Sequence, residues 1–239
     1  MISYEMFTDK GGREVNEDSI RAVCNGDEGC FVVCDGLGGH GKGDEASSLV
    51  ADEIIRCYNE FGSDEDFIEK AFISAQKLLL EEQKKRNATM QMKTTAVVLT
   101  VSQNTVSWGH IGDTRLYMFR NARLRTRTLD HSVPQMLVLA KDIKEKDIRF
   151  HPDRNKLLKV IGSEWGRNPY EIVLNTKRKK NTAFLLCSDG FWELIEDKQM
   201  CGYLKKATAS QWLSEMIKTV KENGKNTDSD NLSAIAVVL

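Results

Sequence analysis

The spacing of apolar and polar positions predicts where strands and helices lie in the first third of the chain. Three short apolar or alternating stretches predict β-strands, at residues 2–8, 19–24 and 30–34. The pair Asn25-Gly26 is a tight-turn signal between the last two. From about Asp44, apolar residues recur at helical spacing until Gly62. A second helical pattern follows Ser63, which we expect to cap it.

The pattern changes to strands in the middle of the chain. Four strand-like segments follow one another, at residues 94–101, 105–111, 115–120 and 123–128. Successive strands joined by short turns are typical of an antiparallel sheet. Ser132 is expected to cap a short helix that runs to Ala140. Three further strands are predicted at residues 170–174, 182–187 and 232–239, with two short helices within 197–223 and Gly224 as a C-cap.

The stretch from Phe31 to Gly43 joins a buried strand, a carboxylate and a glycine-rich turn. It contains a G-x-G-x-x-G pattern from Gly36, and it also fits a P-loop except that Gly43 replaces the final Ser or Thr. Either motif would place phosphate beside Asp35, which would repel it. Both motifs also need alternating strands and helices with a parallel sheet. The run of consecutive strands therefore argues against nucleotide binding.

Several carboxylates occupy similar positions, where a predicted strand meets a loop. They are Glu17, Asp18, Asp35, Asp113, Asp189 and Asp230. Such residues are also common in turns, so a purely structural role stays open for each one alone. If the sheets pack together, these strand ends can converge. Two like charges ~4 Å apart repel by about 4 kcal/mol at an effective dielectric near 20, and all-oxygen ligands suit Mg²⁺ or Mn²⁺.

Composition excludes several classes of protein. The 239 residues carry 34 Lys and Arg against 35 Asp and Glu, so the net charge of -1 gives no global field for nucleic acid or an anionic membrane. No apolar run approaches the ~20 residues of a membrane span, and the first residues lack a signal-peptide pattern. The six cysteines contain no Cys-x-x-Cys pair. We therefore expect reduced thiols and a cytoplasmic protein.

An ordered set of segments resembles one known family. The segments are Arg13-Glu14-Val15-Asn16-Glu17-Asp18, Asp35-Gly36-Leu37-Gly38-Gly39-His40, Gly112-Asp113-Thr114-Arg115, Asp130-His131-Ser132, Ser188-Asp189-Gly190 and Asp230-Asn231. In this order they resemble the metal-dependent protein serine/threonine phosphatases of the PPM family, type 2C, in their compact bacterial form. The resemblance implies an α+β fold, a four-layer α-β-β-α sandwich of two antiparallel sheets. It also implies a single catalytic domain over residues 1–239, with a variable flap at about 132–168.

The resemblance further implies two cations, Mn²⁺ or Mg²⁺, bridged by Asp35. Glu17 and the carbonyl of Gly36 would bind one cation, whereas Asp189 and Asp230 would bind the other. Water activated by the two cations would then attack phosphorus directly.

Four further residues receive roles by resemblance. Asp18 would orient the water, Asp113 would help to hold a third and weaker cation, and Arg13 would grip the substrate phosphate. His40 has two interpretations, a general acid for the leaving oxygen or a structural group of its loop, because relatives with a catalytic histidine place it where Leu37 stands.

Two other histidines have simpler interpretations. His131 is expected to fix a turn, and His110 to be structural.

The sequence thus predicts an enzyme that hydrolyses phosphoserine and phosphothreonine in proteins, opposing a bacterial-type Ser/Thr kinase. We expect a monomer whose partners are phosphoproteins, without nucleic acid or membrane. Two alternatives remain: a silent family member that binds phosphoproteins, and a phosphoesterase that acts on small molecules. The first would have lost metal-binding acids, and all the expected acids are present.

Overall fold

The computed structural model describes residues 1–37, 41–89, 91–205, 207–225 and 227–239. Within these ranges the chain forms ten β-strands, six α-helices and one 3₁₀ helix, Glu145–Phe150. The strands are β1 (Ser3–Asp9), β2 (Asp18–Asn25), β3 (Glu28–Asp35), β4 (Ala96–Val101), β5 (Thr105–Ile111), β6 (Arg115–Arg120), β7 (Arg123–Arg127), β8 (Glu171–Lys177), β9 (Thr182–Cys187) and β10 (Leu232–Val238). The helices are α1 (Gly43–Phe61), α2 (Phe67–Lys85), α3 (Val133–Ala140), α4 (Asp189–Trp192), α5 (Asp197–Tyr203) and α6 (Ala209–Asn223).

The strands of the described ranges form two five-stranded sheets, ordered β1-β10-β9-β6-β7 and β2-β3-β4-β5-β8. All neighbouring strands in each sheet run antiparallel. The inner faces of the two sheets share one apolar cluster, to which β3 contributes Phe31 and Val33 and β9 contributes Phe184 and Leu186. The predicted sandwich of two antiparallel sheets is therefore confirmed.

Helices cover both outer faces, and this explains why the central strands are apolar throughout. Because side chains alternate in a strand, Val32 and Cys34 of β3 point away from the second sheet and pack against α1 and α2. On the opposite side Leu185 of β9 packs against α6 through Trp212. Each central strand is thus buried on both faces, and the layers follow the order α-β-β-α.

Two local features differ from the sequence predictions. Helix α2 begins at Phe67 with Asp66 as its N-cap, so the predicted cap at Ser63 is wrong. The apolar face that drives the helix starts only at Phe67, which is buried. The four-residue helix α4 was not predicted because it is too short to show a period. Gly224 is the C-cap of α6, as predicted, and its φ of -79° is right-handed, so the cap itself does not require glycine.

Several turn predictions are confirmed. The Ser132 hydroxyl accepts a hydrogen bond from the amide of Gln135 and caps α3. Asn121 and Ala122 have φ of 53° and 54°, as a two-residue hairpin turn requires. No helix in the described part of the chain is both long enough and apolar enough to cross a bilayer.

A buried ion pair ties β6 to the segment that follows β7. The Arg115 guanidinium donates through Nε and Nη2 to the two oxygens of Asp130, at 2.7 and 2.6 Å. The two side chains are only 4% and 1% exposed. The guanidinium also stacks on the ring of Trp192, 3.4 Å from its centroid. This pair fixes the start of residues 130–132, which lie next to the β5–β6 turn.

We predict that Asp130→Ala lowers the free energy of unfolding by roughly 3–5 kcal/mol, because it leaves the Arg115 charge buried without its partner. Urea denaturation of the full chain measures the change. The matched control is Glu60→Ala, which breaks the exposed Arg56–Glu60 pair (2.6 Å) and should cost less than about 1 kcal/mol. Equal losses in the two variants would contradict the prediction.

Candidate metal centre

Two strands of the second sheet bring the first group of predicted ligands to one end of the sandwich. Asp18 opens β2 and Asp35 closes β3, and the two residues are direct partners across the antiparallel pair. The amide of Gly36 donates to the carbonyl of Glu17 at 3.1 Å. A Cβ on Gly36 would lie 2.2 Å from the carbonyl oxygen of Gly43, so only glycine fits there. The strand pairing therefore fixes Glu17, Asp18, Asp35 and Gly36 side by side.

Two strands of the first sheet bring Asp189 and Asp230 to the same end. Asp189 follows β9 and begins α4, whereas Asp230 lies just before β10, the antiparallel neighbour of β9. A Cβ on Gly190 would lie 2.4 Å from the carbonyl oxygen of Asn231. Glycine at this position therefore permits the close approach of the two segments. Asp35, which closes β3 in the other sheet, is among the groups that shift the pKa of Asp189.

Asp113 lies in the turn between β5 and β6 and is buried. Its carbonyl accepts a hydrogen bond from Nε1 of Trp192 at 3.1 Å. Trp192 belongs to α4, the helix that Asp189 begins, so Asp113 and Asp189 are held by one short element. Burial, and next the charge of Asp189, raise the pKa of Asp113 well above its ordinary value.

Arg13 lies at the rim of the acid cluster and is paired with one of its members. Its Nε and Nη2 donate to Oδ1 and Oδ2 of Asp230, at 3.2 and 3.0 Å. Both side chains are partly exposed, at 47% and 39%. Arg13 therefore presents a bidentate fork directly beside Asp230.

The electrostatics of the cluster are those of crowded acids. Burial raises the pKa of Asp18 to about 7, and the charges of Asp189 and Asp230 add to the rise. Burial and the charge of Asp18 raise the pKa of Asp35, and burial and Asp230 raise that of Asp189. Burial and the charge of Asp44 raise the pKa of Glu17. Each ionised acid therefore opposes the ionisation of its neighbours.

The cluster fits divalent cations by its donor chemistry. All the predicted ligands offer oxygen, as Mg²⁺ and Mn²⁺ prefer. Oδ1 of Asp18 is buried without a hydrogen-bond partner among the described residues, which is a costly state for a carboxylate. Across the described ranges, no three of these acids bring ligand oxygens all within 4.8 Å of one another. A bound cation would therefore bring these acids closer together. Asp230 would also have to share its carboxylate between the cation and Arg13.

Residues that the sequence did not single out position these acids. Asn231 accepts from the amide of Glu17 at 2.8 Å and donates to the carbonyls of Lys10 and Val15. The hydroxyl of Ser188 donates to Oδ2 of Asp18 at 2.8 Å. Asn231 and Ser188 are sequence neighbours of predicted ligands, and this adjacency was the available signal.

Two threonines secure Asp35 without any local sequence signal. The Thr95 hydroxyl accepts from the amide of Asp35 at 3.0 Å, and the Thr94 hydroxyl donates to its carbonyl at 2.8 Å. The hydroxyls of Thr95 and Thr114 are also hydrogen bonded, which links Asp35 to the turn of Asp113. These threonines contact Asp35 only because β3 pairs with the strand that Thr94 and Thr95 precede.

The histidine predictions have different outcomes. His40 lies outside the described residues, so its role stays a prediction. His131 does hold a turn, because its Nδ1 accepts from the amide of Gly112 at 3.1 Å. His110 is buried, with Nε2 2.7 Å from the carbonyl of Leu129.

Comparison with known proteins gives one consistent result. The model of the family described as Protein phosphatase 2C matches residues 11–235. The serine/threonine phosphatase stp of Listeria monocytogenes is 29% identical over 98% of this chain and 94% of its own length. The crystal structure of Stp1 from Staphylococcus aureus has a TM-score of 0.84 at 27% identity, over 100% of this chain and 95% of its own.

A further solved structure shares the fold. The catalytic domain of PstP in complex with two manganese ions has a TM-score of 0.84 at 23% identity, over 99% of this chain and 97% of its own.

We predict that Asp18→Asn stabilises the full chain in chelator, and that its advantage over the wild type grows as pH rises from 4 to 7. The folded pKa of about 7 exceeds the ordinary 3.8, so within that window the folded wild type binds more protons and its free energy of unfolding falls with rising pH. The difference should grow by up to about 1.4 kcal/mol per pH unit. Urea titrations at several pH values measure it. A pH-independent difference would contradict the prediction.

Proposed function

The chain belongs to the protein phosphatase 2C family, and we propose that this metal-dependent serine/threonine protein phosphatase carries out its chemistry at the carboxylate cluster. The observation that carries the proposal is the convergence of the strand-end acids of both sheets with raised pKa values. Such a cluster is stable in ionised form only with bound cations. We also propose that residues 1–239 act as one catalytic domain, with residues 132–168 as its flap.

The positions of the ligands support the roles that the family resemblance implies. Glu17 and the Gly36 carbonyl would hold one cation, and Asp189 and Asp230 would hold the other. Asp35 would bridge the two cations, because it faces Asp18 across the strand pair and is among the groups that shift the pKa of Asp189, which follows a strand of the other sheet. Manganese or magnesium suits these oxygens, and PstP has been solved with two manganese ions.

When bound, two adjacent divalent cations acidify a shared water, so that a hydroxide nucleophile is available near neutral pH. Asp18 would orient the attacking water through its unpartnered Oδ1, while Ser188 holds its other oxygen. Arg13 would offer its planar fork to the equatorial oxygens of the bound substrate phosphate. The substrate phosphate and Asp230 would then share one guanidinium.

Asp113 would provide a third, weaker cation site together with Asp189. The two residues are coupled electrostatically, and Trp192 connects their backbones. The substrates would be phosphoproteins made by a Ser/Thr kinase in the same compartment, and we propose a cytoplasmic monomer. His40, if it protonates the leaving seryl or threonyl oxygen, would act from the glycine-rich loop that enters α1.

The first test is hydrolysis of a phosphothreonine peptide by the full chain, with Mn²⁺ and with excess chelator. We expect activity only with the metal. Asp35→Asn should reduce kcat at least a hundredfold, because it removes the bridging charge. The matched control is Asp66→Asn, an exposed residue paired only loosely with Lys70 at 3.6 Å, which should be indistinguishable from the wild type.

The same preparation separates the alternatives. Thermal unfolding with and without Mn²⁺ verifies that each variant is folded. A folded chain that binds the phosphopeptide but does not hydrolyse it with Mn²⁺ or Mg²⁺ would contradict the enzymatic assignment. Faster hydrolysis of small phosphomonoesters than of the phosphopeptide would instead favour a small-molecule substrate.

We predict that Arg13→Lys raises KM for the phosphopeptide roughly tenfold and changes kcat less. Lysine keeps the charge but loses the bidentate fork, at a cost of about one charged hydrogen bond. Steady-state kinetics at saturating Mn²⁺ measure both constants. Arg21→Lys, which alters an exposed pair with Asp52 on the outer face, is the control. An unchanged KM in Arg13→Lys would remove Arg13 from the phosphate site.

A further inference from the structure

His131 holds the backbone of Gly112, the residue that precedes Asp113, on both of its sides. The amide of Gly112 donates to Nδ1 of His131 at 3.1 Å, and the amide of His131 donates to the carbonyl of Gly112 at 2.9 Å. Both residues are buried. The side chain of His131 therefore completes a closed pair of hydrogen bonds around Gly112.

The turn that carries Asp113 depends on such bonds. Gly112 has φ of +103°, and a Cβ there would lie 2.4 Å from the side chain of Thr95. Thr114 is bonded to Thr95, and the Asp113 carbonyl accepts from Trp192. The backbone is thus fixed after Gly112 by Thr95 and Trp192, and before it by His131. Because glycine has the greatest backbone freedom, loss of the His131 bond would release the peptide on that side.

The hydrogen bond from Gly112 also determines which nitrogen of His131 carries the proton. A neutral imidazole has one N–H, so an Nδ1 that accepts a bond leaves the proton on Nε2. Burial, with further contributions from His110 and Lys159, lowers the pKa of His131 to about 3, so the ring is neutral near pH 7. Protonation would turn Nδ1 into a donor that faces the Gly112 amide.

The proton on Nε2 of His131 also argues against an alternative role for this residue, that of a metal ligand. His110, His131 and Glu171 form the one trio of described His, Cys, Asp or Glu residues whose ligand atoms all lie within 4.8 Å of one another. The two imidazole rings are stacked, with centroids 4.7 Å apart and an 8° interplanar angle. Nε2 of His131 lies 3.8 Å from Oε1 of Glu171. An Nε2 that carries a proton has no lone pair for a metal, and at this distance from Glu171 it has no hydrogen-bond partner among the described residues.

We propose that His131 is a positioning residue for Asp113: the Nδ1 lone pair fixes the Gly112 peptide and thereby the direction of the Asp113 carboxylate. The inference rests on the proposed function, because its consequence is measured at the weak cation site of Asp113. His131 contacts neither substrate nor cation in this scheme. It sets the affinity of the site through the turn.

The test compares two polar replacements that differ in which nitrogen they imitate. His131→Asn can place its amide oxygen where Nδ1 lies, whereas His131→Gln places its amide group nearer to Nε2. Hydrogen exchange of the Gly112 amide, followed by NMR of the full chain with Mg²⁺, reports the bond directly. We expect exchange close to that of the wild type in His131→Asn and at least about tenfold faster in His131→Gln.

Manganese binding provides the second measurement. Electron paramagnetic resonance titration of free Mn²⁺ separates the tight sites from the weak one, and Asp113→Asn defines complete loss of the weak site. The weak-site Kd should rise about tenfold in His131→Gln and stay within about threefold in His131→Asn. The tight sites should be unchanged in both variants, which a general loss of structure would not permit.

Four results would overturn the proposal. The first is a His131→Gln variant whose weak-site Kd and Gly112 amide exchange equal those of the wild type. The second is an equal loss of weak-site affinity in the Asn and Gln variants. If the Gln variant does not fold, ¹⁵N shifts of the wild-type imidazole decide, since a proton on Nδ1 refutes the role. If Asp113→Asn leaves all manganese binding intact, the role of His131 fails, whereas the tight sites and the phosphatase activity still stand.

Discussion

The desolvation and mutual repulsion of clustered carboxylates are the constraint on which the rest of the structure depends. Asp18, Asp35, Asp113 and Asp189 each have a pKa raised by burial and by the charges of other acids. A chain that places such groups together loses stability unless cations are present. The acidic charges all lie at one end of the sandwich, where divalent cations would offset this loss of stability.

The rigidity of the sandwich makes that arrangement possible. Each sheet contributes acids from the ends of antiparallel strands, and the strand pairing sets their spacing without long side-chain tethers. Hydrogen bonds with Thr94, Thr95, Ser188 and Asn231 then fix the acids by their backbone or by one oxygen. The other carboxylate oxygens remain available to cations. His131 extends the same principle to the turn of Asp113.

Arg13 and Arg115 show two uses of the same side chain. Arg115 is buried against Asp130 and Trp192, so its charge is paired within the protein and helps to hold the fold together. Arg13 pairs with Asp230 at an exposed rim, where a phosphate can compete for its donors. The difference lies in solvent exposure, because an arginine sequestered from solvent has no free donors to offer a substrate.

The sequence by itself determined most of the strands and helices and their order, because strand periodicity and tight turns are local features. The four-layer sandwich and the set of candidate acids were implied by the resemblance of short ordered motifs to one family. The sequence also indicated that Ser132 caps α3. It did not determine where α2 begins, nor the short helix α4, because these depend on which residues the sheets bury. Only the tertiary structure decided that Thr95 holds Asp35, that Arg13 pairs with Asp230 and that His131 holds Gly112. Those contacts join residues far apart in the chain, so no local pattern encodes them.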